Sequence, residues 1–133
     1  MSLIHFNFTS KYLRGNTDVN IILPDLPNRA DPEEFYDPER KFPVIWLFHG
    51  GMGDYTDWVR KSNIELYAVA NEVIVVMPSI LNSCACNWDH FAGGLMEHDY
   101  ITKELMPMIY AWFPASRRRE DNFMAGLSMG GQA

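Results

Sequence analysis

The chain has 133 residues, the size of one ordinary domain. Hydrophobic residues make up 47% and aromatics 14%, which supplies a packed core and argues against a disordered chain. A formal charge of −6 argues against nucleic acid or an anionic membrane surface as the main partner, and Arg117-Arg118-Arg119 is too short a basic run to reverse that.

The opening residues, Met1-Ser2-Leu3-Ile4-His5-Phe6, show no basic segment followed by a long apolar run. No secretory signal is read there, and cytoplasm is the expected compartment. No apolar stretch reaches the roughly 20 residues that a membrane helix needs. Leu3 to Phe8 alternates, with Ile4, Phe6 and Phe8 on one side, as a half-buried strand does. Gly15-Asn16 reads as a turn. A second strand over Asp18 to Leu23 is stopped by Pro24. The stretch from Pro24 to Pro43, rich in Pro, Asp, Glu and Arg, reads as a solvated connection. It is not a domain boundary, because only about 40 residues precede it, fewer than most domains need to stand alone.

Val44-Ile45-Trp46-Leu47-Phe48 is apolar at every position, so both faces of that strand must be covered. His49-Gly50-Gly51-Met52-Gly53-Asp54 breaks it. Thr56 or Asp57 is the expected cap of a helix running to about Asn71. Val73 to Pro78 is a second apolar strand, and a long loop follows from Ser79 to Leu95. Cys84 and Cys86 on that loop are too few for a disulfide framework and lack the further ligands of a zinc site, so no metal is expected. A helix from near His98 to Trp112 carries Ile101, Leu105, Met108, Ile109 and Trp112 at helical spacing, and Pro107 predicts a kink in it. Asn122 to Ala125 is a short strand of weak propensity leading to a glycine-rich turn. Strands alternating with helices predict an α/β fold with a mostly parallel sheet flanked by helices.

Gly126-Leu127-Ser128-Met129-Gly130 matches the Gly-x-Ser-x-Gly nucleophile elbow. The serine of such a turn is lifted out of the sheet on strained backbone, and glycines two residues either side leave room for the neighbouring strand and helix. Alone the pattern is weak, since chance produces it in a few per cent of chains this long. It gains weight from His49-Gly50-Gly51 directly after an apolar strand. An oxyanion hole takes one N–H from the residue after the nucleophile, here Met129, and one from a loop after an earlier strand. Gly51 is the expected second donor, with Met52 as the alternative. Taken alone, His-Gly-Gly would pass for a tight turn.

The motifs Val19-Asn20-Ile21-Ile22-Leu23-Pro24, Trp46-Leu47-Phe48-His49-Gly50, Val75-Val76-Met77-Pro78, Asn82-Ser83, Glu104-Leu105-Met106-Pro107 and Ala125-Gly126-Leu127-Ser128-Met129-Gly130-Gly131 resemble those of the esterase D and tributyrin esterase type, within the α/β-hydrolase superfamily. Trp58 with Ser62-Asn63-Ile64 is similar to that family's first helix. The family also holds S-formylglutathione hydrolases, feruloyl and acetylxylan esterases, and mycolyltransferases. The stretch Gly51-Met52-Gly53-Asp54 lacks the cysteine usual in the formylglutathione type, and His49 stands where mycolyltransferases tend to carry another residue.

The resemblance implies that residues 1–133 are the N-terminal portion of a single α/β-hydrolase domain, ending just after the elbow. The triad of this fold runs Ser, then Asp or Glu, then His along the chain. His5, His49, His90 and His98 all precede Ser128, so none holds the position of the base. His49 is expected to be structural, and Asp54, Asp57, Asp89 and Asp99 to serve caps and turns. The triad Asp and His are therefore expected beyond residue 133, and the chain as given is expected to be inactive. The implied activity is hydrolysis of a small-molecule carboxylic ester through an acyl-enzyme on Ser128, with no cofactor and no nucleic-acid or membrane partner. Met52, Trp88 and Phe91 are candidates for the substrate pocket by loop position and apolar character. A non-catalytic binding protein and an acyltransferase are the alternatives, and assembly into a homo-oligomer is left open.

Overall fold

A computed structural model describes residues 2–90 and 93–133. Five strands form one mixed sheet: β1 (Ser2–Ser10), β2 (Gly15–Leu23), β3 (Val44–Phe48), β4 (Ile74–Pro78) and β5 (Asn122–Gly126), in spatial order β1-β2-β4-β3-β5. β1 and β2 make an antiparallel hairpin, and β2 pairs antiparallel with β4. The parallel block expected from the two apolar strands is β4-β3-β5. All three of its strands therefore end at the same side of the molecule.

The wholly apolar sequence of β3 has a direct cause in the packing. Val44, Trp46 and Phe48 join one buried cluster with Ile74, Val76, Tyr100, Leu105 and Ile109. On the opposite face Leu47, Val75 and Met77 meet Ala68, with Ile45, Trp58 and Ile64 packed alongside. β1 lies at the sheet edge, and there the alternation holds: Ile4, Phe6 and Phe8 are half-buried while His5, Asn7 and Thr9 are exposed.

The turn between β1 and β2 differs from the expected one. It spans residues 11–14, with Arg14 at a φ of 56°, while Gly15 and Asn16 already pair with Ser10 and Thr9. The connection 24–43 contains a short helix, α1 (Pro32–Phe35), capped by the Asp31 carboxylate and anchored by buried Phe35 and Phe42. The single helix expected from Thr56 to Asn71 is two, α2 (Asp57–Lys61) and α3 (Ile64–Ala70). Ser62 between them is extended, and its hydroxyl donates to Trp58 O and accepts from Ile64 N–H. Neither Thr56 nor Asp57 caps the first one with its side chain: Asp54 Oδ1 takes both the Thr56 N–H and its hydroxyl. Those bonds hold the Asp54 carboxyl below its ordinary range.

The last helical region begins with α4 (Glu97–Asp99), continues as a π-helical stretch Tyr100–Leu105, and ends as α5 (Met106–Trp112). Pro107 sits in the first turn of α5, where a missing N–H is tolerated, and the wide turn before it takes up the disruption. β5 is anchored at its start by Asn122, whose Oδ1 accepts from Trp46 Nε1 at 3.0 Å and Tyr110 OH at 2.7 Å. Its Nδ2 donates to Ser116 O and Arg118 O. This fixes β5 against β3 in the register Val44↔Asn122 through Phe48↔Gly126.

Glu97 at the head of α4 is fully buried, and neither carboxylate oxygen has a hydrogen-bond partner among the described residues. Burial pushes its carboxyl up to about 7. An unfolded glutamate titrates near 4.3, so folding favours the protonated form. Stability from this group is full below about pH 4, falls as the pH rises, and levels off above the folded-state value near 7. Between pH 5 and 8 the wild type is expected to lose about 2–3 kcal/mol relative to Glu97→Gln. Urea midpoints of the two proteins at both pH values measure it, and parallel pH profiles would refute it.

Candidate active site

The elbow is built by β5 and the turn that ends it. Beyond Gly126 the Leu127 N–H donates to Phe48 O at 3.3 Å, which ties the turn to the end of β3. Ser128 follows with a φ of 54°, a conformation that costs a non-glycine residue about 1–3 kcal/mol. Its side chain is exposed, and residues Ser128–Gln132 coil into a 3₁₀ turn with Gly130 N–H bonded to Leu127 O.

Two glycines make this turn sterically feasible. A Cβ on Gly126 would collide with the backbone of Gly130. A Cβ on Gly130 would lie 2.5 Å from His49 O and 2.6 Å from Phe48 O. Both distances are well inside contact, so the serine turn is pressed against the point where β3 gives way to the His49 loop. Gly50 completes that contact, with Leu127 O 3.4 Å from where its Cβ would be.

His49 is buried and structural in its bonding. Its Nε2 accepts the Ile80 N–H at 3.0 Å, so the ring proton resides on Nδ1 and is donated to Gly50 O at 2.7 Å. Gly53 N–H also donates to Gly50 O at 3.1 Å. With that carbonyl held by two donors, the trans peptide turns the Gly51 N–H to the opposite side. Met52 N–H is occupied by Asn82 Oδ1 at 2.7 Å. Of the two candidate loop donors, Gly51 has no hydrogen-bond acceptor among the described residues and Met52 has one. Met129 is half-buried and packs against the larger core cluster.

The pocket candidates are placed less coherently. The Met52 side chain is 93% exposed. Trp88 is partly exposed on the loop after β4, with Nε1 donating to Ser83 O at 3.0 Å. Phe91 lies outside the described residues. A cavity of about 290 Å³ does open beside Gly50 and Gly51, but its other walls are Trp58, Lys61, Ser62 and Leu127 with His49 and Asp57. Sequence reasoning missed Trp58, Lys61, Ser62 and Leu127 as cavity walls because they come from α2, the residue that ends it and the elbow itself, and nothing in their local pattern marks them as cavity-lining.

The histidine–carboxylate contacts lie elsewhere. His5 Nε2 is 2.7 Å from Asp18 Oδ1, but on β1 and β2, at the sheet edge opposite β5. β1 and β5 are four strand spacings apart, roughly 19 Å. His98 Nδ1 lies 3.6 Å from Asp99 Oδ1, an acid already bonded to Lys103 and Asn87. Those two bonds hold the Asp99 carboxyl below its ordinary range. His90 is exposed on the loop after β4. No helix of the described residues is long and apolar enough to cross a membrane.

The family model described as "Putative esterase" matches residues 10–133. An acetyl esterase of Caldicellulosiruptor saccharolyticus is 31% identical over 132 residues, which cover 98% of this chain and 48% of that protein. Among solved structures, the fluorophosphonate-binding serine hydrolase FphF of Staphylococcus aureus superposes with a TM-score of 0.83 at 31% identity, over 98% of this chain and 48% of its own. The S-formylglutathione hydrolase FrmB of the same organism gives 0.79 at 32% identity, with the same two coverages. The chain thus spans about half the length of each of these relatives.

Proposed function

This chain belongs to the esterase family matched over residues 10–133, and from that premise we propose that the intact protein hydrolyses small-molecule carboxylic esters through an acyl-enzyme on Ser128. One observation carries the reading. Ser128 is exposed at a φ of 54°, on a turn packed against the loop that leaves the Gly51 N–H without an acceptor among the described residues.

The chemistry follows from that placement. Ser128 Oγ attacks the ester carbonyl carbon, and the carbonyl oxygen gains negative charge as the tetrahedral centre forms. Gly51 N–H from the loop and Met129 N–H from the elbow donate hydrogen bonds to that oxygen. A single preorganised donor of this kind is worth about 10²–10³ in kcat. The alcohol leaves, and water then attacks the acyl-serine by the same route. A base must take the hydroxyl proton and return it to the leaving alcohol. None of His5, His49, His90 and His98 is assigned that role: His49 has both ring nitrogens engaged, and the other three sit on the far sheet edge or on the loop and helix after β4. The base and its carboxylate partner are assigned to the half of the fold that the relatives have and this chain does not span.

A fluorophosphonate probe applied to the intact protein tests the assignment. The expected result is a single phosphonylated residue, Ser128, identified by peptide mass spectrometry. Label on another residue, or none on a folded sample, would remove the basis of the proposal.

A further inference from the structure

We infer that Asn82 is a positioning residue for the oxyanion loop: its side-chain carbonyl holds the Met52 N–H and so selects Gly51 as the donor presented to substrate. This inference rests on the Ser128 reading and goes beyond it by naming what sets the geometry of the loop.

The loop 49–53 is clamped by the segment after β4 at two points. Ile80 N–H holds the His49 ring at 3.0 Å, and Asn82 Oδ1 holds the Met52 N–H at 2.7 Å. Leu81 between the two has a φ of 47°, which bends the chain between the two clamps. The first clamp acts through the His49 Nδ1 proton on Gly50 O and fixes one side of the Gly50–Gly51 peptide. The second fixes the next peptide, between Gly51 and Met52. Gly51 is thus the residue between two anchored peptides, and it carries no side chain to oppose their settings. Asn82 Oδ1 itself lies only 3.9 Å from where a Gly51 Cβ would be.

Without the second clamp the Gly51–Met52 peptide is free to rotate. Met52 is held at a φ of 61°, which is unfavourable for a side-chain-bearing residue, so release has a driving force. Rotation would bring the Met52 N–H into competition with the Gly51 N–H for the same oxygen. The ground-state ester, with little charge on its carbonyl oxygen, gains little from either donor. The oxyanion gains much more, so the change falls on kcat and spares KM.

The test uses the intact protein with p-nitrophenyl acetate, a fluorophosphonate probe, and amide hydrogen exchange at Met52. Asn82→Ala is expected to lower kcat and the rate of Ser128 phosphonylation about tenfold, with KM within about twofold and an unchanged unfolding midpoint. Its Met52 amide is expected to exchange faster than in the wild type. Asn82→Asp keeps an acceptor oxygen in place, so its Met52 amide should stay protected. Equal Met52 exchange in wild type and Asn82→Ala overturns the inference, as does a wild-type kcat in that variant or a loss confined to KM. A wild-type protein whose Ser128 takes no label overturns the esterase reading and this inference together, whereas normal labelling with an inert Asn82→Ala overturns this inference alone.

Discussion

Replacing Ser128 by glycine is expected to lower kcat of the intact protein by about 10⁶ while making the fold more stable. Both halves of that result come from one backbone angle. At a φ of 54° a serine pays for the clash between its Cβ and the neighbouring carbonyl, and glycine has no Cβ. The gain is about 1 kcal/mol, the low end of what a left-handed non-glycine residue costs. Ser128→Ala removes the hydroxyl and keeps the Cβ, so it should lose activity to the same extent without the added stability. Ester hydrolysis and urea unfolding of the three proteins separate the effects. A Ser128→Gly protein no more stable than Ser128→Ala would mean that the turn is unstrained, and residual activity within tenfold of wild type would mean that another group is the nucleophile.

Gly130→Ala is expected to disable the protein with the nucleophile untouched. The added methyl would sit 2.5 Å from His49 O and 2.6 Å from Phe48 O. These are backbone oxygens at the end of a central strand, and Phe48 O also accepts from Leu127 N–H and Trp58 Nε1. β3 has no room to retreat, so the serine turn must lift away from it. That sacrifices the Leu127–Phe48 bond and the seating of Met129. A loss of about 3 kcal/mol or more is expected, with hydrolysis reduced at least in proportion. Gly51→Ala supplies the contrast, because its nearest neighbour is Asn82 Oδ1 at 3.9 Å and stability should change by no more than about 0.5 kcal/mol. Equal thermal midpoints for the two alanine variants would show that the turn does not press on β3.

Much of the sheet is readable from sequence because each strand's composition follows from what covers it. β3 and β4 are apolar throughout since separate clusters pack on their two faces, and β1 alternates since only one of its faces meets the core. The serine turn is readable because its glycines answer to contacts within a few residues or with a single strand end. The failures share a different cause. The break between α2 and α3 depends on a Ser62 hydroxyl bonding both ways along the chain, which apolar periodicity does not record. The N-terminal turn lies ahead of the expected Gly15 because Arg14 takes the left-handed angle and Gly15 already pairs with Ser10. The bond that occupies the Met52 N–H comes from Asn82, some thirty residues away, on a loop of its own. The cavity beside Gly51 is likewise a product of assembly, since α2 and the serine turn meet only after β5 docks.

The strand order carries one more consequence, for the time at which Ser128 takes up its strained backbone. Of the five strands β5 is made last, yet its berth is beside β3, made long before and already flanked by β4 on its other side. Pairings between such distant stretches form late and slowly. Until that berth is filled the contacts with β3 that hold residue 128 at its costly angle are absent, and a nascent chain carries this serine on relaxed backbone.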